Sequence, residues 1–289
     1  LQNEVVKRDL PWRKAEAQDE WKDSDISQLL HWLEVNWNLS GKDKILNAFV
    51  HVIRKRTFHP IKDYLEGTKW DGELRVPYLF HNFLGIQDTS FNREISIRWF
   101  VGAIRRIYEP GCKHDWGIIL AGDKGIGKSW LIQKITPCNA FGELTDFDAK
   151  DGGEQLRGKW ILEIPELSAK KKSNNEEMKA FMSRQSDDYR AAYARKTETR
   201  PRQSVFVGTT NKMEFITDET GDRRNVPLVC EKDSIKMDIA SDLTAEYIAQ
   251  LWAEAKVYFD GGRESYLDKQ LAEELDKVNE IHRLTDPLQ

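Results

Sequence analysis

Gly122-Asp123-Lys124-Gly125-Ile126-Gly127-Lys128-Ser129 follows the apolar run Trp116-Gly117-Ile118-Ile119-Leu120-Ala121 and leads into a helical stretch from Ser129 to Ile135. The eight residues match G-x-x-x-x-G-K-[ST], a phosphate-binding loop, and the flanking segments supply the buried strand and the helix that such a loop needs. Backbone N–H groups and the positive helix end would cradle a β-phosphate. Lys128 would reach the β- and γ-phosphates, and the Ser129 hydroxyl would ligate Mg²⁺. The expected nucleotide segment is therefore Gly122, Asp123, Lys124, Gly125, Ile126, Gly127, Lys128, Ser129 and Trp130, with ATP and Mg²⁺ as its ligands. Read as structure alone, the same residues would be a glycine turn between a strand and a helix.

Downstream, apolar runs alternate with helical patterns. Lys159–Ile164, Ser204–Thr209 and Val226–Val229 read as strands and Glu176–Ser183 as a helix, which with the first strand predicts a parallel α/β sheet. Glu163 and Glu166 fall on and just after the second strand, where an acid would hold Mg²⁺ or polarise an attacking water. Glu166, beyond Pro165, suits the water and Glu163 the metal; the plain alternative is an edge strand with one exposed carboxylate. The third strand ends in Thr209, Thr210, Asn211, and an amide at that tip would sit beside a γ-phosphate; asparagine also ends many strands as a turn former. Arg223 and Arg224 form either a solvated rim or a finger for a neighbouring subunit's nucleotide.

Residues 1–108 read as a helical N-terminal domain. Ile26, Leu29, Leu30, Leu33 and Trp37 recur at helical spacing, as do Ile45, Phe49, Val52 and Ile53, and Ile95 to Tyr108 forms a further helix. No catalytic constellation stands out here, and its aromatics read as core. Residues 109–230 hold the α/β core. Residues 231–289 read as a helical C-terminal segment, with amphipathic patterns over Thr244–Tyr258 and Tyr266–Ile281.

The net charge of −4 hides an asymmetry: residues 231–289 carry fourteen acidic and seven basic side chains, which leaves the rest of the chain net positive. The densest basic excess lies between Ser168 and Gln203, where Arg184, Arg190, Arg195, Lys196, Arg200 and Arg202 are interleaved with Tyr189 and Tyr193. Arginine with tyrosine suits a nucleic-acid backbone and stacked bases, and equally a solvated surface. Three widely spaced cysteines give neither a disulfide framework nor zinc spacing, which points to a reducing cytoplasm. No apolar run is long enough for a membrane span. The start at Leu1, without Met or the regions of a signal peptide, suggests a piece of a longer protein.

The ordered set "WDG" (Trp70 to Gly72), "GDKGIGKS", "LRGKWILEIPELS", "DDYRAAYARK", "FVGTTN", "TGDRRNVPL" and "LWAEA" (Leu251 to Ala255) resembles the virulence-associated protein E family, over about Phe58 to Leu288. Its members are similar to superfamily 3 helicases, AAA+ ATPases of phages and other mobile elements that often carry a primase-type domain upstream. The resemblance implies an AAA+ P-loop core with Lys128 and Ser129 as Walker A, Glu163 and Glu166 as Walker B, and Asn211 as sensor 1. It implies Arg223 or Arg224 as a finger acting in trans within a homo-oligomer, a hexamer around single-stranded or forked DNA. A hairpin ahead of sensor 1 would carry the DNA contacts, here Arg190, Tyr193, Arg195 and Lys196. Ile164 and Pro165 separate the two glutamates, where many AAA+ proteins set two acids side by side. The expected activity is ATP-driven DNA unwinding in replication of such an element. Two other readings remain open: an ATP-gated DNA-binding initiator or scaffold that does not unwind, and a P-loop kinase, which would need a lid and an acceptor pocket.

Overall fold

A computed structural model of the chain describes residues 9–14, 21–55, 58–147, 153, 155–167, 172–189, 198–213 and 224–282. They fall into two compact units, Leu1–His59 and Pro60–Gln289.

Among its described residues the first unit holds two helices, α1 (Asp23–Trp37) and α2 (Lys42–Lys55). Asn38 ends α1 in the left-handed region, its N–H returning to the Glu34 carbonyl. Asp25 is buried and receives Arg13, the Trp12 indole and the Lys22 N–H, so the guanidinium holds its carboxyl well below the usual carboxylate range. Trp37 and Val52, which their spacing marks as core, are exposed, and the other positions so marked on the two helices are only half-buried.

The second unit is built on a five-stranded sheet. Its strands are β1 (Gly117–Ala121), β2 (Phe141–Glu143), β3 (Ile161–Ile164), β6 (Val205–Thr210) and β7 (Asn225–Val229), in the order β2-β3-β6-β1-β7 and parallel throughout. Strands β1, β3 and β6 are buried at every position, as a parallel sheet covered on both faces requires. Between β3 and β6, β4 (Ser186–Tyr189) and β5 (Glu198–Pro201) pair antiparallel in a separate ladder. Helix α6 (Lys128–Ile135) follows β1, and α7 (Lys172–Met182) precedes β4.

Helices from both ends of this unit surround the sheet. Upstream lie α3 (Pro60–Glu66), α4 (Leu79–Leu84) and α5 (Ser90–Tyr108); downstream lie α8 (Ala245–Asp260), against α5, and α9 (Lys269–Ile281), against β7. Thr89 and Thr244 cap α5 and α8, each hydroxyl accepting the N–H three residues on. Three fully buried tryptophans fasten these layers. Trp99 of α5 donates to the Phe206 carbonyl on β6, Trp160 to Ala103 on α5, and Trp252 of α8 to Ile135 at the end of α6. "WDG" and "LWAEA" meet here: Gln250 and Glu254, one turn apart on α8, bond the backbone of residues 69–76, with Glu254 accepting both Arg75 and Val76 N–H groups. Among the described residues no helix is long and apolar enough to cross a membrane.

Candidate functional site

Because the sheet is parallel, the tips of β1, β3 and β6 share one edge, and the residues just beyond them meet there. Strand β1 delivers Gly122, and α6 begins at Lys128 with Gly127 as its N-cap at φ 101°. A Cβ on Gly127 would lie 2.7 Å from Ile239 Cδ1, and one on Gly122, at φ 154°, 2.7 Å from the Cys230 carbonyl oxygen. Backbone conformation thus demands glycine at both positions, and at Gly122 the neighbouring backbone carbonyl demands it as well.

Behind the loop, Lys128 is buried, and its ammonium donates to the carbonyls of Gly122 (2.6 Å) and Asp123 (2.8 Å) and to Asn211 Oδ1 (3.1 Å). Burial pushes the Lys128 pKa down. Cys230, buried nearby, has its thiol pushed up to about 12 by the same desolvation and stays protonated. On the other side, Glu163 Oε1 accepts two hydroxyls, Ser129 Oγ at 2.5 Å and Thr209 Oγ1 at 2.6 Å. Glu166 follows Pro165 in the left-handed region (φ 49°) and is exposed.

Lys128, Ser129, Glu163, Glu166, Thr209 and Asn211 line one cleft of about 340 Å³. Of the residues singled out in the sequence it takes in Lys124, Gly125, Gly127, Lys128, Ser129, Trp130, Glu163, Glu166 and Asn211. Gly122 and Asp123 contribute carbonyls to Lys128, and the Ile126 side chain is buried under the loop. The sequence reading missed a role for Thr209, since only the strand register reveals which hydroxyl faces Glu163. Ser129 and Glu163 place hard oxygen donors side by side, which suits Mg²⁺. Among the described residues no three His, Cys, Asp or Glu side chains converge, so a cation here would need phosphate oxygens to complete its shell.

Arg224 stands at the opposite edge of the sheet. Its carbonyl accepts the Gly117 N–H at the start of β1, and its Nε donates to Ser183 Oγ (3.1 Å). The length of β1 puts it roughly 16 Å from Gly122, where the glycine loop begins, beyond its own side chain's reach. Arg223, and the basic residues Arg190, Tyr193, Arg195 and Lys196, lie outside the described residues; the last four belong to the segment that joins β4 to β5. One member of the basic stretch is not a surface residue at all. Arg202 is fully buried, its guanidinium paired with Asp187 and stacked on Phe181 and Phe206, so it offers nothing to a nucleic acid.

The sequence matches no curated protein. Among solved structures it is similar to the apo structure of the NrS-1 C-terminal region (305–718), with 16% identity and a TM-score of 0.48 over 76% of this chain and 55% of that one. The A form apo structure of the same region gives 17% identity and a TM-score of 0.49 over 74% and 54%. The chain thus spans little more than half the length of those structures. A family model, the virulence-associated protein E-like domain, matches residues 65–284. That match takes in the five-stranded sheet, the cleft at its edge and the helices that close the unit, so the chain belongs to the virulence-associated protein E-like domain family.

Proposed function

We propose that the cleft binds ATP with Mg²⁺ and hydrolyses it, that the fold is an AAA+ P-loop core of the superfamily 3 helicase kind, and that turnover moves the chain along DNA during replication of a phage or other mobile element. The observation that carries this reading is the convergence of Lys128, Ser129, Glu163 and Asn211 on one cleft from three strand tips. Strand order supports it, because β6 lies between β1 and β3 and so holds Asn211 between the glycine loop and the acid.

In this reading the loop amides and the α6 N-terminus bind the phosphates, and Lys128 leaves the Gly122 and Asp123 carbonyls for the β- and γ-phosphate oxygens. Mg²⁺, held by Ser129 and Glu163, would supply charge neutralisation on those oxygens. Glu166 at the cleft rim accepts a proton from the attacking water, and Asn211 orients that water. Arg223 or Arg224 acts on the next copy's nucleotide in a ring, a hexamer; the placing of Arg224 at the far edge of the sheet favours action between copies over action within one. The β4–β5 hairpin presents Arg190, Tyr193, Arg195 and Lys196 to single-stranded or forked DNA.

The test is the steady-state ATPase rate with and without single-stranded DNA, for the wild type and Lys128→Ala. The reading predicts hydrolysis that DNA stimulates and that the variant loses. Near wild-type turnover in Lys128→Ala would remove the site assignment, and hydrolysis indifferent to DNA would favour a nucleotide-gated scaffold.

A further inference from the structure

We infer that Thr209 is a positioning residue for Glu163, holding its carboxylate in the orientation that presents one oxygen to a nucleotide-bound divalent cation; the inference rests on the nucleotide reading of the cleft. Strand β6 runs beside β3 with Glu163 opposite Val207, so the β6 side chain two residues further on reaches the acid. Thr209 is 6% exposed and Glu163 3%, and the bond between them is 2.6 Å long. Ser129 donates to the same oxygen from the other flank at 2.5 Å. Both hydroxyl hydrogens are therefore committed to Oε1, while Oε2 has no hydrogen-bond partner among the described residues.

The terminal torsion of a glutamate is broad and nearly two-fold, so a carboxylate gripped at one oxygen by one donor can turn. Two donors from different elements prevent that turn. The Ser129 bond cannot do this alone in a loaded site, because Ser129 belongs to the loop that also takes the phosphates and cation. Thr209 belongs to a buried strand and holds the same grip whether or not the loop is loaded. Threonine fits the task because its methyl packs like that of valine while its hydroxyl donates.

The experiment is titration of Mn²⁺, followed by the loss of the free-ion electron paramagnetic resonance signal, into the full chain with a non-hydrolysable ATP analogue, for wild type, Thr209→Val and Thr209→Ser. Losing one charge-assisted hydrogen bond should weaken Mn²⁺ retention about tenfold in Thr209→Val, with analogue affinity in EDTA unchanged. Thr209→Ser should restore retention. In turnover, Thr209→Val should lower kcat about tenfold and leave KM for ATP within about twofold. Wild-type Mn²⁺ retention in Thr209→Val overturns the inference, as does a Thr209→Ser variant as impaired as Thr209→Val. A wild-type protein that binds the analogue in neither condition overturns the nucleotide reading itself. Should Thr209→Val fail to fold, Thr209→Ala removes the same donor without adding volume and takes its place.

Discussion

Removing the Asp187 carboxylate should unfold the second unit's hairpin base at a cost that the geometry sets. Arg202 has a side chain with no exposure, and Asp187 one with 10%. The guanidinium meets the carboxylate through Nε (2.8 Å) and Nη2, gives Nη1 to the Phe181 carbonyl, and lies 4.5 Å and 5.4 Å from the ring centroids of Phe181 and Phe206. Asp187→Ala leaves that cation in place without its counter-charge, a situation that costs about 3–5 kcal/mol. The Phe181 carbonyl and the two rings keep part of its stabilisation, so the lower figure, about 3 kcal/mol, applies. Arg202→Met removes the cation and leaves a carboxylate that reaches water, which should cost about 1–2 kcal/mol. The double variant should then resemble Arg202→Met alone, with a coupling of about 3 kcal/mol across the cycle. In urea unfolding followed by tryptophan fluorescence, the second unit reports through Trp99, Trp160 and Trp252 in its core. In a thermal scan, about 3 kcal/mol corresponds to roughly 6–12 °C for a unit of this size. Additive single effects, or a loss below about 1 kcal/mol for Asp187→Ala, would refute the reasoning.

Other outcomes follow from single residues. His114 is buried against Gly102 with neither ring nitrogen bonded among the described residues, and burial holds its pKa at about 3 against an ordinary 6.5. The folded form excludes a proton that the unfolded chain takes up, so stability is fully present above pH 6.5 and falls between 6.5 and 3 by about 1.4 kcal/mol per unit. Unfolding free energies between pH 5.5 and 6.5 should lose that slope in His114→Asn, and an unchanged slope contradicts the assignment. Gly127→Ala combines a positive φ with a clash on Ile239 and should lower stability by about 1–3 kcal/mol and nucleotide affinity with it; calorimetry on both counts checks this. Arg195→Ala with Lys196→Ala should weaken single-stranded DNA binding and lower the slope of log affinity on log salt by about 1.4, and unchanged binding removes the hairpin from the DNA reading.

The strands that build the sheet were legible because each is an apolar run buried on both faces: Ile118–Leu120, Ile161–Ile164, Val205–Val207 and Val226–Leu228. Strand β2 was not, since Phe-Gly-Glu is short and half-buried and exists by pairing with β3 at the sheet edge. A parallel sheet with known strand tips also indicates which residues share an edge, and Lys128, Ser129, Glu163 and Asn211 do so. What strand tips do not carry is register, which is why the Thr209 hydroxyl on Glu163 came from the structure. Arg202 shows the converse limit. In a stretch rich in arginine nothing local marks one as buried, because the cause is Asp187, fifteen residues earlier and across a ladder. Trp37 has helical spacing yet is exposed, so periodicity alone overstated its burial.

Calorimetric titration of the full chain with Mg²⁺ and a non-hydrolysable ATP analogue, beside Lys128→Ala, tests the central claim most directly. One nucleotide per chain in the wild type, with no measurable binding in the variant, is the predicted result. No binding to the wild type, or equal binding to both, would contradict the assignment of the cleft.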